Sequence, residues 1–236
     1  MCYTPERRKE KEMIYVSSEA DNRLISWLSS CGYAVEEFRT DGIVAGPLSC
    51  HPDMFMCKMG VSDDSEIISY FMQDKTRLSP EYPEDIPFNA ACTGKYFIHN
   101  LKYTAPVLLK RAEELGLEMV NVRQGYAKCS TVIVDEDSVI TYDRGLGKAC
   151  TEAGMNVLLI THGHILLPGY DTGFIGGASG RIGDTVIFNG DLSAHPDSDR
   201  IIRFIEEKGL KIKWFPEWPL TDTGSIIGIY PERAYR

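Results

Sequence analysis

Four times in this chain an amphipathic run ends at a glycine and a β-rich run begins: "WLSSCGYAVEEF", "RAEELGLEMVNV", "CTEAGMNVLLI" and "FIEEKGLKIKWF". The glycines are Gly32, Gly116, Gly154 and Gly209. Glycine suits the position just past a helix end, where the backbone takes positive φ and a Cβ would clash. The Val, Ile and Phe that follow favour strands. A second plan alternates with the first. Small polar loops lead into strands at "CHPDMFMCKM", "NAACTGKYFIHN", "CSTVIVDEDSVITYD", "GFIGGASGRIGDTVIFNG" and "DTGSIIGIY", which start at residues 50, 89, 129, 173 and 222. A spacing of about 40 to 50 residues fits one supersecondary unit.

The two ends of the chain complement each other. The last loop-strand has no helix after it, and the first helix, about Asp21 to Cys31, is preceded only by the strand "MIYVSS". Joining the ends completes a fifth unit, so Met13 to Ser17 is expected to share a sheet with Ser225 to Tyr230. A radial arrangement protects its sheet edges in this way. The second unit takes "DDSEIISYFMQ" as its helix, followed by the proline-rich loop "DKTRLSPEYPEDIPF". No linker divides the chain. The expectation is a single domain over residues 1–236, with a repeat core of about 13–230 and a charged segment at 1–12. Its class is α/β, a five-unit ββαβ pseudo-symmetric propeller around a polar channel.

Charge narrows the partners. The formal net charge is -9, which repels nucleic-acid phosphates and anionic membrane surfaces and favours a small cationic ligand. The start, "MCYTPERRKEKEMIYV", has no apolar core of a secretory signal. No apolar run approaches the roughly 18 to 20 residues of a membrane span. Seven scattered cysteines without a C-x-x-C pair fit a reduced cytoplasm, most of them simply buried.

A ring of five ββαβ units, with "HPDM", "QGYAKCS", "GFIGGASG" and "TDTGSI" in its loops, resembles the guanidine-modifying, or pentein, superfamily of agmatine and arginine deiminases, dimethylarginine hydrolases and amidinotransferases. The chain looks like an uncharacterised bacterial branch of it. The resemblance implies a thiol-dependent amidinohydrolase or deiminase acting on a small guanidino compound, with no cofactor and no metal. In active members a cysteine attacks the guanidinium carbon, a histidine of an H-x-D motif moves protons and carboxylates hold the cation. His51-Pro52-Asp53 matches H-x-D, and Cys129 in "GYAKCST" is the matching nucleophile. Asn89, Asp171 and Asp222, each in a loop of a different unit, are the substrate-binding candidates. The family's cysteine lies in its last unit, where Ile226 stands here, and Ile175 occupies the position of a family glutamate.

The chemistry calls for these residue types. Carboxylates hold a planar guanidinium through paired hydrogen bonds. A thiolate supplies the nucleophile, which a nearby His⁺ and a bound cation favour over the thiol. Histidine then protonates departing ammonia and activates water. Plainer readings stand beside these: an X-Pro turn at His51 to Asp53, a buried structural cysteine at 129, and Asx-turns at Asp171 and Asp222. Two other functions stay open. One is a non-catalytic protein of the same fold that binds a ligand or partner. The other is a metal-dependent hydrolase using His162 and His164 of "LLITHGHILLPGYD", although a catalytic zinc commonly needs three protein ligands. His195, in a second His-Pro-Asp, precedes an amphipathic helix that Asp197 or Ser198 is expected to cap.

Overall fold

The computed structural model describes residues 12–72 and 76–229; Tyr230 of the expected closing strand and the charged segment up to residue 11 lie outside them. The chain opens with β1 (Met13–Ser17), α1 (Asn22–Ser30) and β2 (Ala34–Phe38). The hairpin β3 (Met56–Lys58) and β4 (Ile67–Ser69) follows. Then come β5 (Ala91–Cys92), β6 (Tyr96–His99), α2 (Pro106–Glu114) and β7 (Glu118–Asn121). The plan recurs in β8 (Thr131–Ile133), β9 (Ser138–Thr141), α3 (Arg144–Glu152) and β10 (Asn156–Leu159). It recurs again in β11 (Ser179–Ile182), β12 (Thr185–Phe188), α4 (Ser198–Glu206) and β13 (Lys211–Lys213), and β14 (Ile227–Ile229) ends the described chain. The fold is mixed α/β, with five small sheets among the described residues.

Three sheets share one internal order. An antiparallel pair comes first, then a helix crossover to a parallel strand: β5-β6-β7, β8-β9-β10 and β11-β12-β13. The first sheet has the same order, its leading strand drawn from the other end of the chain. β14 pairs antiparallel with β1, Met13 opposite Ile229 and Tyr15 opposite Ile227, and β1 pairs parallel with β2 across α1. The expected pairing of the chain's ends is therefore present.

The helices start and stop where the sequence says. The Asp21 carboxylate accepts from the Arg23 N–H at the start of α1, and Asp143 accepts from Leu146 N at 2.8 Å at the start of α3. Pro106 begins α2, a position where its missing N–H costs nothing. Gly32, Gly116, Gly154 and Gly209 all have positive φ. Asp197 occupies the cap position of α4 but makes no side-chain cap bond there. Its carboxylate instead accepts from Thr161 N at 2.6 Å and pairs with Arg200.

The second unit departs from expectation. Residues 67–69 form a strand, not a helix, and Tyr70–Met72 form one 3-10 turn. Ile67 and Ser69 point inward while Ile68 is half-buried, an alternation of period two, and Ile67 pairs opposite Lys58. Two adjacent β-branched residues fit that pleat better than a helix turn.

Each helix buries one stripe on its own sheet. Leu24 and Leu28 of α1 pack on Ile14 and Val16, and Ile201 and Ile205 of α4 pack on Val186 and Phe188. Each such side chain contributes about 1.5–3 kcal/mol of burial. The leading strands of successive sheets also touch one another. β5 contacts β3 and β8, β11 contacts β8 and β14, and Met56 of β3 packs with Ile227 and Ile229 of β14. Among the described residues, no helix is long and apolar enough to cross a membrane.

Candidate active site

His51 adopts extended backbone before Pro52, and Pro52–Met54 form a single 3-10 turn. This is the conformation that proline imposes on its predecessor. The turn sends His51 and Asp53 inward, where they are 1% and 0% exposed. The X-Pro turn and the candidate site are thus one feature: the turn aims the carboxylate.

Cys129 reaches the same spot from the end of the loop before β8. Its Sγ donates to Asp53 Oδ2 at 3.3 Å and accepts from Asn89 Nδ2 at 3.0 Å. Asn89 works as a clamp. Its Oδ1 accepts from the backbone N–H of Lys128 and Cys129 at 3.0 and 3.1 Å, and its Nδ2 also lies 3.1 Å from the Asp53 carbonyl. The amide is therefore satisfied within the protein, so Asn89 positions its neighbours and leaves no group for the substrate contact expected of it.

Asp222 closes the opposite side. Its Oδ2 accepts from Phe174 N at 2.9 Å and its Oδ1 from Gly224 N at 3.1 Å, with His51 Nδ1 at 3.8 Å from Oδ1. The glycines around it are spatial requirements. A Cβ at Gly177 would collide with the Asp222 carboxylate, and one at Gly224, where φ is +80°, would lie 2.5 Å from His51 Cα. The "FIGGASG" loop is backbone packed against a carboxylate.

Sequence reading missed two members, Ser225 and Lys128. Asp53 Oδ2 accepts from Ser225 N at 3.1 Å and from Ser225 Oγ at 2.6 Å. The same hydroxyl accepts from Lys128 Nζ at 2.7 Å. Asp53 Oδ2 is thereby saturated, whereas Asp53 Oδ1 and His51 Nδ1 are buried without a hydrogen-bond partner. The available signals were the Lys next to Cys129 and the Ser after Asp222-Thr223-Gly224.

Other candidates fall elsewhere. Asp171 is exposed and does not join the cluster. The turn closed by Tyr170 N to Leu167 O, at 3.1 Å, carries it out to solvent, and the chain bends inward only from Gly173. His162 is exposed and lies against Tyr142, ring centroids 4.6 Å apart. His164 is exposed, with its ring 5.7 Å from that of His195, and among the described residues no third metal-type donor converges with them. His195 is buried and accepts from Asp197 N through Nδ1, in keeping with its omission from the site. Among the described residues, one set of three or more metal-type donors converges: His51, Asp53 and Cys129, with ligand atoms all within 4.8 Å of one another.

Electrostatics correct one expectation. Burial pushes the Cys129 thiol well above its usual range, and the Asp53 and Asp222 carboxylates push it further. In the free protein Cys129 is therefore a neutral thiol, not the thiolate that a neighbouring His⁺ was expected to favour. Burial also raises Asp222, with His51 opposing and Asp53 reinforcing the shift. Burial lowers Lys128, against the pull of Asp53 and Cys129.

Two spaces border the cluster. An open pocket of about 300 Å³ is lined by Glu19, Pro47, His51, Leu167, Asp222 and Thr223. It has two carboxylates and no basic side chain other than the histidine. Cys129 and Asp53 lie outside its lining. A separate space of about 50 Å³ is lined by Cys57, Lys58, Lys128 and Arg181 among others.

The sequence matches a family of unknown function, DUF6873, over residues 15–227, and the chain belongs to that family. No curated protein matches it.

Proposed function

We propose that this DUF6873 member is a pentein-like propeller of five units that binds a small guanidino cation and modifies it through Cys129. The observation that carries the reading is the convergence of His51, Asp53, Asn89, Cys129 and Asp222, drawn from four loop-strands, beside an acidic pocket. The contacts between successive leading strands and the β14–β1 pairing support the radial arrangement.

A guanidinium entering over His51 meets Asp222 first. Its charge offsets the fields of Asp53 and Asp222 that hold the thiol neutral. The Cys129 proton then passes to His51, whose ring nitrogen lies within 4.8 Å of Sγ. The thiolate attacks the guanidinium carbon, and one C–N bond breaks as His51 returns the proton to departing ammonia. Water adds to the S-alkylthiouronium carbon, losing a proton to His51, and the C–S bond breaks to release a urea product and free thiol.

Calorimetric titration with a small guanidino compound, coupled to ammonia detection, tests this reading. Asp222→Asn should weaken binding by about 10- to 100-fold, the loss of one charge-assisted contact. Cys129→Ala should bind but release no ammonia. The buried, neutral thiol favours one second reading, ligand binding without chemistry. Binding with no ammonia from the wild type would establish that alternative, and absence of binding would sink both.

A further inference from the structure

We propose that His51, Asp53 and Cys129 form a site for a soft divalent ion such as Zn²⁺, and that the ion and the guanidino cation exclude one another. The inference rests on the donor set and not on the catalytic reading, except for the competition between the two ligands. The three ligand atoms lie within 4.8 Å of one another and all three residues are buried. A small closure brings donors at that span around one ion, and thiolate, imidazole and carboxylate together suit zinc.

A second observation points to a ligand. Asp53 Oδ1 and His51 Nδ1 are buried with no hydrogen-bond partner, although the residues are 0% and 1% exposed. Such groups are costly to leave unmatched. The framework around them is already built. Ser225 holds Asp53 through Oδ2, leaving Oδ1 free, and Asn89 fixes the Cys129 backbone and sulfur. Asp222 adds negative charge 3.8 Å from His51 Nδ1. The pocket over His51 gives a path inward. Binding is balanced by loss of one proton: the thiol S–H breaks, the proton leaves to solvent and an S–metal bond forms. The three protein donors leave a fourth position for water.

Cobalt(II) added to chelator-washed full-length protein tests the site, because thiolate coordination gives a near-ultraviolet charge-transfer band. We expect one equivalent of cobalt to develop the band and zinc to abolish it. Asp53→Asn should weaken cobalt binding at least about tenfold, Cys129→Ser should remove the band, and His164→Ala should leave it intact. Thermal unfolding shows whether each variant is folded. If Cys129→Ser fails to fold, protection of Cys129 from a thiol probe by zinc in the wild-type chain decides. A band that survives Cys129→Ser, a band that follows His164, or no band and no protection overturns the site. Guanidino binding without cobalt binding removes this inference alone, whereas cobalt binding without guanidino binding removes the proposed function alone. Simultaneous binding of both overturns the exclusion.

Discussion

At the scale of single residues, the surroundings of Cys129 hold its thiol protonated in the free chain, and the proposed cationic ligand would oppose that. Burial acts first on Cys129, and two carboxylates reinforce it. The free chain, washed with chelator, should therefore label slowly at Cys129 near neutral pH, while exposed Cys31 labels faster. Asp222→Asn removes one of the two anions, so the thiol pKa falls and alkylation of Cys129 rises by several-fold at fixed pH. Peptide mass spectrometry of alkylated protein across a pH series reads both effects. Cys129 outpacing Cys31 in the wild type would refute this electrostatic account. The membership of the site was partly legible in sequence. The resemblance of their motifs singled out His51, Asp53 and Cys129, and with Asn89 and Asp222 they sit at or near loop-strand starts that the repeat brings together. Asp171 shares the Asp-Thr-Gly of Asp222, but a local turn sends it to solvent, and three-residue identity carries no information about that. Ser225 and Lys128 carried only adjacency to Asp222-Thr223-Gly224 and Cys129 as a signal, because no motif match marked them and their roles arise from contacts across 172 and 97 residues of chain.

At the scale of elements, His99 ties the end of β6 to the loop that carries Cys129. Its Nε2 donates to the Gly125 carbonyl at 2.9 Å, and Nδ1 accepts from the Thr104 hydroxyl at 2.7 Å. Burial lowers its pKa to about 4. Between about pH 6.5 and 4 the unfolded chain binds a proton that the folded chain refuses, so stability falls as pH falls through that window. The shift corresponds to about 3 kcal/mol when complete. Wild-type protein should lose thermal stability between about pH 7.5 and 4.5, and His99→Gln should lose distinctly less of it over the same interval. Equal losses in calorimetric scans would show that His99 is not the titrating group. Elements were legible wherever a glycine stop and an apolar stripe coincided, as in α1 and α4. They were illegible at residues 67–72, where "IISYFM" suits either a short strand or a helix turn. Pairing with Met56–Lys58, a contact outside the segment, decided for the strand.

At the scale of the molecule, the organising contact is between the chain's two ends. Among the described residues β1 takes its antiparallel partner from β14, and Ile227 and Ile229 are buried against Met56 and Ile67. A chain ending at Ser225 would expose β1 as a sheet edge and remove three buried isoleucines, Ile226, Ile227 and Ile229. Each such loss costs about 2–5 kcal/mol, and for a chain of this size the midpoint should fall by at least about 10 °C. Connectivity itself should matter less than the pairing. A permutant that joins Arg236 to Met1 and opens between exposed Asp41 and Gly42 keeps every described strand and helix intact. In a radial arrangement of five units, no joint between units is privileged, so this permutant should unfold cooperatively within a few degrees of the wild type. It should also keep the proposed guanidino binding, because His51, Asp53, Cys129 and Asp222 retain their neighbours. The truncated chain and the permutant therefore separate two causes, loss of a strand and loss of a chain order. A truncation that leaves the midpoint unchanged would show that β14 does not close the structure. A permutant that fails to fold while the truncation behaves as expected would show that the units are not equivalent, and the five-unit reading would fall with it.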